Sequence, residues 1–127
     1  MTHEFPIRVY YEDTDMAGIV YYANYLRYIE RGRSDWVRCV GIDQNEMKTR
    51  DGVVFAVRRI EADYYAPARF DDELIVETKT QSVSAARLVM QQDVRRGSDL
   101  LFSAIVTIVC IAENGQPVRL PANIRLM

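Results

Sequence analysis

The sequence predicts an α+β fold in which five antiparallel strands accompany one long helix, and three observations carry that reading. One stretch alone shows sustained apolar spacing of three and four residues; a short β-type run precedes it; four longer runs of strand character follow, joined by short connections. Short connections favour antiparallel pairing. At 127 residues the chain has the size of one domain, residues 1–127, enough to bury a single core.

The first strand is expected over residues 7–11, ending in Glu12, Asp13, Thr14 and Asp15, after which Gly18 allows a tight turn. The helix is expected over residues 24–40. Its apolar face is Tyr22, Tyr25, Leu26, Ile29, Gly32, Trp36, Val37 and Val40, with Asn24 as N-cap and Gly41 as the residue that ends it. Gly32 on that face lets the helix lie close to another backbone. Arg27, Glu30, Arg31, Arg33, Asp35 and Arg38 form the opposite face, where Glu30 is expected to pair with Arg33. The remaining strands are expected over residues 53–64, 72–83, 86–95 and 100–112, punctuated by Asp51-Gly52, Pro67, Arg96-Gly97-Ser98 and Asn114-Gly115. The last of them is apolar on both faces, which predicts a homo-oligomer, at least a dimer. From Gln116 onward, with Pro117 and Pro121, an irregular tail is expected.

Composition removes several function classes. Lys and Arg number 16 against 18 acidic residues, so a net charge of -2 offers no general attraction to nucleic acid or to an anionic membrane. The longest apolar run is too short to span a bilayer, residues 1–6 carry no leader signal, and two cysteines, Cys39 and Cys110, suit reduced thiols in the cytoplasm. His3 is the sole histidine and falls in an N-terminus expected to fray, so a Ser-His-Asp or Cys-His mechanism lacks its base. A histidine-based zinc site is not expected on the same ground. Asp13 and Asp15 are too few for a calcium or magnesium cage, and no metal ligands are assigned. Phosphate-cradling G-x-x-x-x-G-K-[ST] and G-x-G-x-x-G patterns are also lacking.

What remains is a carboxylate loop running into a helix start. That pairing suits a thioester, whose thiol leaving group has a pKa near about 8.5 and departs as thiolate without a strong general acid. Asp15 can attack the carbonyl or activate water, and backbone N–H groups from Gly18 to Tyr22 can receive the oxyanion. The same acidic residues also fit a purely structural Asx turn or helix cap. Six of the eight tyrosines lie between Tyr10 and Tyr28, which fits an acyl pocket, a core or a subunit interface.

The run Y-Y-E-D-T-D-M-A-G-I-V-Y-Y-A-N-Y, then I-E-R-G-R, then D-Y-Y-A-P-A-R-F-D-D, closely resembles the hotdog-fold thioesterases of the 4-hydroxybenzoyl-CoA thioesterase group. Among these it is most similar to bacterial acyl-CoA thioesterases associated with the Tol-Pal system. The resemblance covers nearly the whole chain and implies a five-stranded antiparallel sheet wrapped around a central helix, assembled as dimers and often tetramers. It implies acyl-CoA as substrate, with no cofactor beyond the coenzyme A that the substrate carries. By position, Asp15 matches the family's nucleophile or general base, the Tyr22 backbone N–H matches its carbonyl-polarising donor, and Gly18 supplies the adjoining turn. Many Tol-Pal-associated members have histidine at the position of Tyr22, which leaves the acyl group open between short-chain and aromatic. Tyr11 and Ile19 are assigned to the substrate pocket. Fourteen of the 16 basic residues are arginine, the better phosphate grip, and Arg58, Arg59 and Arg87 are assigned to the coenzyme A phosphates. From a different class, the alternative is a non-catalytic hotdog protein that binds acyl groups or scaffolds an envelope or lipid-synthesis complex.

Overall fold

A computed structural model describes residues 2–127. Met1, part of the segment read for a leader, lies outside the described residues. The long helix α1 (Asn24–Cys39) packs on the concave face of an antiparallel sheet built from β1 (His3–Arg8), β2 (Val53–Tyr64), β3 (Glu73–Val83), β4 (Leu88–Arg96) and β5 (Asp99–Ala112), in the order β1-β3-β4-β5-β2. This is the hotdog architecture. Registers such as Leu88 opposite Ile108 and Phe55 opposite Cys110 put Leu88, Met90, Val106, Ile108, Cys110 and Phe55 on the face toward α1.

The helix is held by its apolar stripe, with Tyr25, Tyr28, Ile29, Gly32, Trp36 and Val37 buried. Gly32 faces β3 closely enough that a Cβ there would stand 2.6 Å from Val76 Cγ1. Below the same turn lies a polar seam. Gln92 donates through Nε2 to the Ile29 carbonyl at 2.8 Å and to Thr78 Oγ1 at 2.9 Å, and its Oε1 accepts from Arg33 at 2.9 Å. Both ends of the buried amide are thereby satisfied. The expected Glu30–Arg33 pair is not formed: Arg33 turns inward to Gln92, while Glu30 accepts from Ser34 Oγ. Leu26, placed on the apolar face by spacing, is exposed, and Tyr28 is buried in its stead.

Three further expectations need correction. The first strand begins at His3 rather than residue 7, pairs His3 with Thr78, and stops at Arg8; Tyr11 belongs to a single 3-10 turn, Tyr11–Asp13. His3 is therefore not frayed. Asn24 is not the N-cap but the first helical residue, and its side chain donates to the Asp13 carbonyl at 2.9 Å. The tail is not irregular throughout: β6 (Pro117–Val118) pairs with Cys110 and Ile111 on β5, beyond the end of β4, and α2 (Ala122–Arg125) follows. Strand β2 pairs only with β5 among the described residues, leaving twelve residues with one open edge. On the convex face, Ile105, Val109 and Ile111 remain half-exposed. No helix among the described residues is long and apolar enough to cross a membrane.

Candidate active site

The acidic loop is shaped by its own hydrogen bonds before any other element touches it. Asp15 accepts from Gly18 N through its carbonyl at 3.0 Å and from Ala17 N through Oδ1 at 2.9 Å, while its own N–H donates to Ile19 O. Gly18 closes this turn at φ +79°, a left-handed value that glycine adopts without a Cβ penalty. The Asx-turn reading is thus realised, yet it engages only Oδ1. Asp15 is exposed. Its negative charge is one cause, after the neighbouring Tyr22 and burial, of a raised Tyr21 hydroxyl pKa. Asp13 instead serves structure: Oδ2 accepts from Tyr10 N at 2.8 Å, and its carbonyl accepts from Tyr21 N and Asn24 Nδ2.

These bonds present the start of α1 to a cleft. The N–H of Asn24 donates to Tyr21 O, but the amides of Tyr22 and Ala23 donate to no acceptor among the described residues. Unpaired N–H groups at the positive end of a helix favour an anion. Beside them opens a cavity of about 290 Å³ lined by Ile19, Val20, Tyr22, Tyr25, Tyr64, Tyr65, Ala66 and Pro67. Tyr64 fixes one wall, its hydroxyl donating to Tyr22 O at 2.9 Å and its ring 5.0 Å from Phe102.

The segment after β2 braces this corner. Val20 N donates to Ala68 O, Ile19 bridges Arg69, and Ala68 N donates to the buried Tyr25 hydroxyl at 2.9 Å. Asp72 ties the segment down by accepting from Arg69 N and from Arg96 Nη1, both at 2.8 Å. Burial raises its pKa, but the Arg69 amide and the Arg96 guanidinium outweigh burial, so the net shift is downward. A carboxyl with a lower pKa in the folded chain stabilises it above the unfolded value of about 3.9, and that stability is lost as pH falls through the folded pKa. Asp72→Asn should therefore lower the melting temperature at neutral pH, and the gap from native protein should narrow progressively in melts taken as pH is lowered below the unfolded value of about 3.9.

Ile19, Gly18 and Tyr22 gather at this corner as the sequence suggests, but the other assigned substrate residues do not. Tyr11 stands on the 3-10 turn with its ring against Phe70, 6.4 Å away, and does not line the cavity. Arg58 and Arg59 lie six and five residues up β2 from Tyr64, roughly 15 to 20 Å at about 3.3 Å per residue. Arg58 occupies a bulge and Arg59 pairs with Glu61 at 3.0 Å. Arg87 is in the turn before β4 rather than on a strand. Tyr64, Pro67 and Asp72, which shape the corner, fall within the D-Y-Y-A-P-A-R-F-D-D motif, but nothing in their residue types alone assigns them to it.

Comparison with known proteins agrees with this architecture. A family model described as the thioesterase superfamily matches residues 17–103, a span that includes Gly18 and Tyr22 and begins just after Asp15. The chain is 35% identical over 122 residues to the acyl-CoA thioesterase YbgC of Haemophilus influenzae, covering 95% of this chain and 90% of that protein. It is 41% identical over 107 residues to the acyl-CoA thioester hydrolase YbgC of Escherichia coli, covering 84% and 79% respectively. A crystal structure of a probable thioesterase from Bartonella henselae superposes with a TM-score of 0.92 at 38% identity, over 95% of this chain and all of that one. The chain belongs to the thioesterase superfamily, as a hotdog-fold thioesterase of the 4-hydroxybenzoyl-CoA thioesterase group.

Proposed function

We propose that residues 1–127 act as one hotdog domain that hydrolyses short-chain or aromatic acyl-CoA thioesters to free acid and coenzyme A in the cytoplasm. The observation that carries this reading is the conjunction at the start of α1. Two unpartnered amides, Tyr22 and Ala23, adjoin a cavity lined half by tyrosines and a turn whose Asp15 keeps Oδ2 free. Asp15 is the reacting carboxylate, attacking the carbonyl carbon itself or taking a proton from the water that does. As the tetrahedral centre forms, the carbonyl oxygen becomes an oxyanion that the Tyr22 N–H and the positive end of α1 receive. The C–S bond then breaks, and the thiolate carries off the electron pair without a general acid; where Asp15 is the attacking group, water then hydrolyses the acyl-Asp15 anhydride to free acid and carboxylate. No cofactor or catalytic metal enters this scheme.

The protein acts as a homodimer or tetramer, a reading supported by the open edge of β2 and the half-exposed apolar residues on the convex face. Arg58, Arg59 and Arg87 are assigned to the coenzyme A phosphates of a neighbouring protomer's site, because within one chain Arg58 and Arg59 are remote from Asp15. Thiol release from a panel of short-chain, long-chain and aromatic acyl-CoAs tests the reading. Turnover is expected for the short or aromatic members, and Arg58→Ala/Arg59→Ala should raise KM with little change in kcat. Tight binding without turnover across the whole panel would replace the enzyme by an acyl-binding module.

A further inference from the structure

At the opposite end of α1 from the carboxylate loop, the fold gathers three side chains that the thioesterase reading does not use. Asp35 and Cys39 are four residues apart, on one face of the last helical turns. Pairing of β1 with β3 brings His3 to the same place, with Nε2 2.8 Å from Asp35 Oδ2. One donor atom from each of the three side chains lies within 4.8 Å of the others. His3 Nδ1 is enclosed without a hydrogen-bond partner among the described residues, so Nε2 is the nitrogen that faces the cluster.

We propose that His3, Asp35 and Cys39 form a binding site for a borderline divalent transition-metal ion, of which Zn2+ is the representative, with water as fourth ligand. A thiolate, an imidazole and a carboxylate together suit zinc or cobalt, whereas magnesium and calcium require oxygen donors throughout. Tetrahedral zinc with bonds of about 2.0 to 2.3 Å holds its donors roughly 3.3 to 3.8 Å apart. His3 Nε2 and Asp35 Oδ2, 2.8 Å apart, therefore part by about 0.5 Å to admit the ion, and Cys39 Sγ, within 4.8 Å of both and exposed at the helix end, moves in to meet it. The carbonyl end of α1 also favours a cation there. Arg38 approaches the other carboxylate oxygen, Oδ1, at 3.6 Å, so Oδ2 is engaged by His3 alone, in the hydrogen bond that the metal replaces. On binding, bonds form to Sγ, Nε2 and Oδ2 in place of the His3–Asp35 hydrogen bond; the thiol proton leaves to water, and Nε2 gives up its proton so that the neutral ring carries its one proton on Nδ1.

This site lies roughly 20 Å along the helix from Asn24, at about 1.5 Å per residue, so it takes no part in thioester cleavage. It sits by β1, the edge of the sheet opposite β2. Titration of the metal-free full chain with Co2+ should give a near-ultraviolet thiolate charge-transfer band that saturates at one ion per chain and is displaced by Zn2+. Cys39→Ser, at an exposed position, should keep the native circular dichroism and lose the band. Competition with a chromogenic chelator should show Cys39→Ser and His3→Gln binding Zn2+ at least about tenfold more weakly, the loss that even an outer partner of a ligand causes. Absence of the band in native protein, or Zn2+ affinity unchanged in Cys39→Ser, would overturn the proposal.

Discussion

Asp15→Asn should lower kcat for acyl-CoA hydrolysis by about 10² to 10⁴-fold, the range for a positioned acid–base or nucleophilic group, while leaving the melting temperature within error of native. The amide is nearly isosteric, and its oxygen can still accept from Ala17 N, so the turn closed by Gly18 survives. What it lacks is the negative charge, needed both to attack a thioester and to deprotonate water. The Tyr22 and Ala23 amides are untouched, so substrate binding should change little and the loss should fall on kcat. Thiol release at saturating substrate, paired with thermal melts, decides the matter; equal rates for native and variant would remove Asp15 from the reaction. Oxygen-18 uptake into Asp15 during a single turnover separates attack by the carboxylate from attack by water.

The second large effect is on stability. Gly32→Ala should destabilise the chain by roughly 1 to 3 kcal/mol despite the helix propensity that alanine gains, about 1 kcal/mol in its favour. The added methyl would stand 2.6 Å from Val76 Cγ1 and 3.3 Å from Val76 Cβ, and Val76 is fully buried on β3. A β-branched side chain has little rotamer freedom with which to yield. Relief then requires α1 to lift from the sheet, against the Gln92 bonds to Ile29 O and Arg33. Urea unfolding of Gly32→Ala, Val76→Ala and the double variant measures the coupling, and the methyl should cost much less once Val76 is alanine. A Gly32→Ala protein as stable as native would show that the helix does not depend on this close approach.

How far the sequence alone carries this structure depends on the kind of signal. The helix is legible from its long three- and four-residue apolar spacing and the strand run Val53–Tyr64 from its β-branched and aromatic residues between turn signals, and Gly41 ends α1 as its residue type suggests, at φ +88°. Expectation fails where a partner distant in sequence decides the outcome. The H-E-F-P-I-R run carries polar residues and a proline, and only pairing with β3 makes it a strand. Arg33 turns inward because Gln92, 59 residues away, offers an acceptor that local spacing cannot reveal. The same holds for the candidate site: Asp15, Gly18 and Tyr22 are legible as one motif, whereas Tyr64 and Pro67 join it only through the return of β2 to the helix start. His3 is the sharpest case, since residue 3 meets residue 35 only once the sheet is assembled.

The placement of α1 ahead of the strands that enclose it has a consequence for synthesis on the ribosome. Its apolar stripe, including Trp36, is complete by residue 39, yet Val76 and Gln92, which receive it, are made some 40 to 50 residues later, several seconds at about 5 to 20 residues per second. During that interval β1, and later β2 and β3, cover the helix only in part, because Leu88, Met90 and Ile108, which stand beside Trp36 from β4 and β5, are still to be made. Fragments ending before residue 84 should therefore show the solvent-exposed emission of Trp36, the only tryptophan, and the blue shift of burial should arrive only with β4 and β5. Early burial in such fragments would contradict this order. A newborn chain thus exposes a sticky helix before it can fold, which makes it a natural client for chaperones that bind short apolar segments.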